Sequence, residues 1–134
     1  MKHFLFGILV LAAVLACMVS LALAQTPAKA DWKDSFRIHD RNSDGKIDRA
    51  EFHDWMADSF FIMDENHKGY LVFEDVKNVM NPKTFKGQDK DGDGKVTLQE
   101  FLNASFQDFA AADVSKNGAL TVEEFEVYFK KTGK

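Results

Sequence analysis

Asp40-Arg41-Asn42-Ser43-Asp44-Gly45-Lys46-Ile47-Asp48-Arg49-Ala50-Glu51 decides the reading of this chain, and Asp89-Lys90-Asp91-Gly92-Asp93-Gly94-Lys95-Val96-Thr97-Leu98-Gln99-Glu100 repeats it. Both stretches place oxygen-bearing side chains at the first, third and fifth positions, glycine at the sixth and glutamate at the twelfth. Alternation of that kind turns every second side chain inward along a curled backbone. The glycine marks a reversal with φ > 0, which costs it nothing and other residues something. The converging groups are hard oxygen donors with dense negative charge, the chemistry of a divalent cation site.

Coordination number selects the ion. Ca²⁺ takes roughly 6 to 8 oxygens at about 2.3 to 2.6 Å, and a short peptide supplies them only by wrapping around it. In the first loop Asp40, Asn42 and Asp44 offer one side-chain oxygen each, Lys46 its backbone carbonyl, Asp48 an oxygen acting through water, and Glu51 two. The other loop offers Asp89, Asp91, Asp93, the carbonyl of Lys95, Thr97 and Glu100. Ordinary residue frequencies produce this pattern at roughly one position in a million, so turn-forming Asp-Gly pairs do not account for two copies. The chain thus resembles the EF-hand family. The resemblance implies calcium binding and an all-α fold of helix-loop-helix units.

The repeat extends further. Asp64 to Asp75 and Asp113 to Glu124 complete a series whose first aspartates stand 24, 25 and 24 residues apart. Phenylalanine stands four residues before each loop, at Phe36, Phe60, Phe85 and Phe109, and Phe52, Val76, Phe101 and Phe125 follow directly after. Four tandem units of about 24 residues are expected, with loops over 40–51, 64–75, 89–100 and 113–124. Ligand chemistry separates them. The second loop has Lys68 at the fifth place, Val72 at the ninth and the shorter Asp75 at the twelfth, so it is expected to be a degenerate remnant. The fourth offers Asp113, Ser115, Asn117, the Ala119 carbonyl, Thr121 and Glu124, with only two charged groups, and should bind more weakly. Two strong calcium sites and a weaker third are the expectation.

Residues 1–24 are a different material. Lys2 precedes an apolar run from Phe4 to Leu23, and Ala22-Leu23-Ala24 forms the small-x-small site of a cleavable signal peptide. The expected location is periplasmic or secreted. Anchoring through a lipid on Cys17 is a lesser alternative, disfavoured by bulky Leu15 and by the apolar residues a cut there would leave behind. Cleavage after Ala24 would remove the sole cysteine and leave 16 basic against 21 acidic side chains. That balance argues against nucleic acid as a partner. No stable membrane insertion is expected once the leader is gone. Residues 25–30, with Pro27, read as a tether, and 31–134 as the domain, opened by a helix that Asp31 caps.

Spacing is unusual for the resemblance and is similar to that of small exported EF-hand proteins of bacteria. Only Phe52 to Met63 and Phe101 to Ala112 lie between consecutive loops, so one helix must nearly serve two units. Ile47, Leu71, Val96 and Leu120, all at the eighth place, would pair loops through short β-bridges. Either the shared helices break, near Asp58-Ser59, or non-consecutive loops pair. Helices leaving the loops are expected to carry Trp55, Met56, Val79, Met80, Phe106, Tyr128 and Phe129 on buried stripes. Asn81-Pro82 and Gly87 should interrupt helix and divide the array into halves. The carboxylates are spaced as ligands and no nucleophile stands out, so an enzyme is not expected. Sensors of this resemblance display methionine-rich grooves, and the mature chain has only Met56, Met63 and Met80, all flanking the second loop; a calcium sensor or a calcium-dependent module that takes a protein partner in an apolar groove is nevertheless the expectation. A calcium-stabilised structural protein or a passive buffer is the alternative.

Overall fold

Each loop is entered by a helix that its own first aspartate closes. The amide of Asp40 donates to the Phe36 carbonyl at 2.9 Å, Asp64 to Phe60 at 2.9 Å, Asp89 to Phe85 at 2.9 Å and Asp113 to Phe109 at 2.8 Å. The phenylalanine register is therefore structural: it sets the last helical turn and points a ring into the core.

The structure is a computed structural model that describes residues 32–132, with side chains over 33–127. The leader, the tether, the Asp31 cap and the side chains of Trp32, Tyr128 and Phe129 lie outside the described residues. The elements run α1 (Trp32–His39), β1 (Lys46–Asp48), α2 (Arg49–Met63), β2 (Tyr70–Leu71), α3 (Phe73–Val76), α4 (Pro82–Gln88), β3 (Val96–Thr97), α5 (Leu98–Ala112), β4 (Ala119–Thr121) and α6 (Val122–Thr132). The fold is rich in helix, with small two-stranded sheets.

Strand pairing follows from the length of the shared helices. α2 and α5 are 15 residues each, about 22 Å long, so each carries the chain from one end of the molecule to the other and the two loops it joins, 1 with 2 or 3 with 4, do not meet. β1 pairs antiparallel with β4, Ile47 opposite Leu120, and β2 with β3, Leu71 opposite Val96. Of the two arrangements the sequence leaves open, the shared helices stay whole and loop 1 pairs with the non-consecutive loop 4, while loops 2 and 3, consecutive but joined by two short helices rather than one long one, pair with each other. α2 passes Asp58-Ser59 unbroken, and the Ser59 hydroxyl donates to the Trp55 carbonyl within the helix at 2.9 Å. α2 runs from the β1–β4 end to the β2–β3 end, α5 returns, and the two pack against each other.

The core lies along that contact. The Phe52 ring sits 4.9 Å from Phe109 and 5.5 Å from Phe106, and Phe60 lies 5.8 Å from Phe101. Phe36 and Trp55 meet Phe125 at 5.5 and 5.9 Å, bringing α1 and α6 onto the same core. All eight residues of the repeating frame are buried, as are the four apolar residues at the eighth place. Each such side chain contributes about 1.5 to 3 kcal/mol.

Two expectations need correction around the second loop. α3 is only four residues long, and Val79 and Met80 lie in a turn beyond it rather than on a helical stripe, although Met80 is buried. The cause is local. α2 and α5 are capped by the side chains of Asp48 and Thr97, whereas the matching residue here is Val72, which has no side-chain oxygen to cap with. Gly87 does not interrupt helix but lies inside α4. Asn81 caps that helix, its Oδ1 accepting from the Thr84 amide at 3.0 Å, and Pro82 starts it.

Candidate metal centres

At each loop the first aspartate is the hub. Asp40 accepts from the amides of Asp44 (3.1 Å) and Gly45 (2.9 Å). Asp113 accepts from Asn117 (3.1 Å) and Gly118 (2.9 Å), and Asp89 from Gly92 (2.8 Å) and Gly94 (3.0 Å). Sixth-place glycines at φ near +80° aim these amides inward. A second left-handed residue, at the fourth place, is a feature the sequence reading missed. Ser43, His67 and Lys116 adopt φ of 57°, 51° and 57°, and only the third loop has glycine there, Gly92.

Third and fifth places curl the chain further. Asn42 Oδ1 accepts from Asp44 N at 2.8 Å and Asp44 Oδ1 from Lys46 N at 2.9 Å. The third loop repeats this with Asp91 to Asp93 N (3.1 Å) and Asp93 to Lys95 N (2.8 Å). In the fourth, Asn117 accepts from Ala119 N at 2.9 Å, and Ser115 Oγ donates to Asp113 at 3.2 Å. A carboxylate oxygen accepting one hydrogen bond keeps another lone pair, so these bonds shape the loops without exhausting their donors.

Twelfth-place glutamates close the loops. Glu51 accepts from the amides of Arg41 (2.9 Å) and Asn42 (3.1 Å) through Oε1 and from Asp48 (3.0 Å) through Oε2. Glu100 accepts from Lys90 (2.9 Å) and Thr97 (2.9 Å), and Glu124 from Ser115 (2.9 Å) and Thr121 (3.1 Å). The Thr97 and Lys90 amides hold Glu100 below the usual carboxylate range. For Asp113 and Glu124 burial acts upward, but the converging amides outweigh it and both carboxyls are lowered. These groups are thus kept as anions, the form that coordinates metal.

The donor set fits calcium. Oxygens facing each other across an ion at 2.3 to 2.6 Å are about 4.6 to 5.2 Å apart, and Asp89, Asp91 and Asp93 present carboxylate oxygens all within 4.8 Å of one another. Lys46 and Ala119, expected to contribute carbonyls, lie in β1 and β4, and Lys95 directly precedes β3. The second loop differs. Lys68 Nζ lies 2.7 Å from Asp75 Oδ2, which lowers the Asp75 carboxyl through that hydrogen bond and raises the Lys68 ammonium.

Two supports had no signal in the sequence. Arg41 reaches from loop 1 to α2, 2.9 Å from Asp54 and 3.5 Å from Asp58. His39, one residue before Asp40, stacks on Trp55 at 4.0 Å and 14°. Burial, and then the charge of Arg41, lower its pKa to about 4.

The EF-hand domain pair model matches residues 29–106, more than half of the chain, and an EF-hand model matches 106–130. The chain belongs to the EF-hand family, and that membership indicates calcium binding. No curated protein matches the chain. Among the described residues, no helix is long and apolar enough to cross a membrane.

Proposed function

We propose that the chain is an exported calcium-binding protein built of four EF-hand units bridged first to fourth and second to third, with ions at loops 1 and 3 and a weaker one at loop 4. The observation that carries this is the convergence of Asp89, Asp91 and Asp93 within 4.8 Å. Asp40, Asn42, Asp44, Lys46, Asp48 and Glu51 hold the first ion, Asp89, Asp91, Asp93, Lys95 and Glu100 the second, and Asp113, Ser115, Asn117, Ala119 and Glu124 the third. Isothermal calorimetry should give two strong sites and one weaker. Absence of heat at millimolar calcium would reject the reading.

Geometry favours a calcium-stabilised closed module over a groove-opening sensor. Met56, Met63 and Met80, the residues expected to line a groove, are all buried in the core. α2 and α5 each belong to two units, so swinging either helix away from one loop displaces the other loop it enters. An apolar dye separates the readings: the closed module loses dye fluorescence as calcium is added, and a sensor gains it. Export rests on Lys2, the Phe4–Leu23 run and Ala22-Leu23-Ala24. Mass spectrometry of the protein from its native host should find Gln25 first, and a lipid-modified Cys17 at the new terminus would replace this proposal with the anchored alternative.

A further inference from the structure

Lys68 does more in loop 2 than exclude an ion. Its ammonium touches Asp75 at 2.7 Å, joining the fifth and twelfth places of the loop, which a calcium ion joins elsewhere. The rest of the loop matches its neighbours. Asp64 accepts from Lys68 N (2.9 Å) and Gly69 N (2.7 Å), as Asp40 and Asp113 do from their fifth- and sixth-place amides. Asp75 accepts from Val72 N at 3.1 Å, as each closing glutamate does from the ninth place. Both residues are exposed, so it is the geometry of the pair across the loop, and not burial, that sets it in place of an ion.

The pair is continuous with loop 3. The Tyr70 ring has Lys68 Nζ 5.4 Å from its centroid and Lys95 Nζ 4.7 Å from it. Tyr70 stands opposite Thr97 in the β2–β3 ladder, and Thr97 donates to Glu100 through both its amide and its hydroxyl. The built-in cation, the aromatic ring and the loop 3 residues Lys95, Thr97 and Glu100 form one unbroken chain of contacts.

We propose that Lys68 is a positioning residue for the loop 3 metal site, a tethered cation that holds loop 2 in its working shape without calcium and, through Tyr70 and the ladder, sets loop 3 before an ion arrives. The inference rests on the calcium reading of loop 3. Its physical basis is preorganisation: a loop already ordered gives up less freedom on binding. The β1–β4 end has no such substitute, because Asp44 and Asn117 stand where Lys68 does.

The test is hydrogen exchange and backbone NMR on the full chain, without calcium and through a calcium titration, following the amides of Gly45, Gly69, Gly94 and Gly118. Without calcium, Gly69 should exchange about tenfold more slowly than Gly45 and Gly118. Lys68→Met should abolish that difference and weaken calcium at loop 3 about two- to fivefold, leaving loops 1 and 4 unchanged, and Lys68→Arg should restore both. Tyr70→Leu should keep the Gly69 protection but weaken loop 3, which tests the relay even if Lys68→Met folds poorly. Gly69 as labile as Gly45, unchanged loop 3 affinity in both variants, or equal weakening of every loop would overturn the proposal. Failure of the calcium reading is distinct: loop 3 of the native chain would then not titrate, whereas Gly69 protection is read with no calcium present.

Discussion

Asp91→Asn separates the two roles of the loop 3 carboxylates, because it should stabilise the calcium-free chain while weakening its hold on the ion. Asp89, Asp91 and Asp93 present oxygens within 4.8 Å of one another. Two unit charges at that distance repel by about 3.5 kcal/mol at an effective dielectric of 20 and by about 0.9 kcal/mol in water. Asp91 and Asp93 are exposed and Asp89 is half-buried, so the water-like figure governs. Asp91 takes part in two of the three pairs, and removing its charge relieves about 2 kcal/mol. The backbone has no cause to move: Asp91 accepts from Asp93 N at 3.1 Å, and Asn42 makes the same bond in loop 1 at 2.8 Å. Urea unfolding in chelator should show the variant about 1 to 2 kcal/mol more stable, a gain that shrinks in molar salt. In millimolar calcium the order should reverse, with loop 3 affinity at least about tenfold lower. A variant less stable than the native chain in chelator would refute the electrostatic reasoning.

Because β1 pairs with β4, Glu124→Gln should weaken calcium at loop 1 as well as loop 4, by about fivefold or more, and leave loop 3 within about twofold; loop-resolved NMR titration checks it, and equal losses at loops 1 and 3 would count against the pairing. Ser43→Gly relieves a left-handed serine at about 1 to 2 kcal/mol but adds freedom to the unfolded chain, so a net gain of about 0.5 to 1 kcal/mol is expected in urea unfolding. His39 stays neutral in the fold because its pKa is lowered from 6.5 to about 4. Its contribution is present above pH about 6.5 and is lost as pH falls toward 4, amounting to roughly 1 to 2 kcal/mol after solvent screening of the half-buried ring. His39→Phe keeps the stack on Trp55 and should remove that part of the acid loss in chelator; identical acid profiles for the two chains would show that His39 carries none of it.

The loops were legible because ligand spacing is local: twelve residues suffice to aim Asp89, Asp91 and Asp93 at one point, and no distant contact decides it. The phenylalanine frame was legible for the same reason, each ring being tied to its loop by the hydrogen bond from the first aspartate. Pairing was not, since Ile47, Leu71, Val96 and Leu120 are interchangeable as strand partners, and the unbroken length of α2 and α5 excludes only the pairings within each half. Gly87 misled because a glycine inside a helix is tolerated when a cap such as Asn81 and a proline at the first turn favour the helix around it. The clamp of Arg41 on Asp54 and Asp58 and the stack of His39 on Trp55 join residues more than a dozen positions apart, and no periodic pattern marks them.

A shift of 49 residues carries Arg49–Met63 onto Leu98–Ala112, and the same shift takes the β1 stretch to the β3 stretch. The chain thus repeats one two-loop segment, and each copy lends one strand to each sheet. The copies are clasped rather than adjacent. A protein made of one copy alone would have two strands without partners and would complete them only by meeting its twin, so the peptide around Asn81-Pro82 has turned what would be a self-complementary dimer into one molecule that cannot come apart at its own waist.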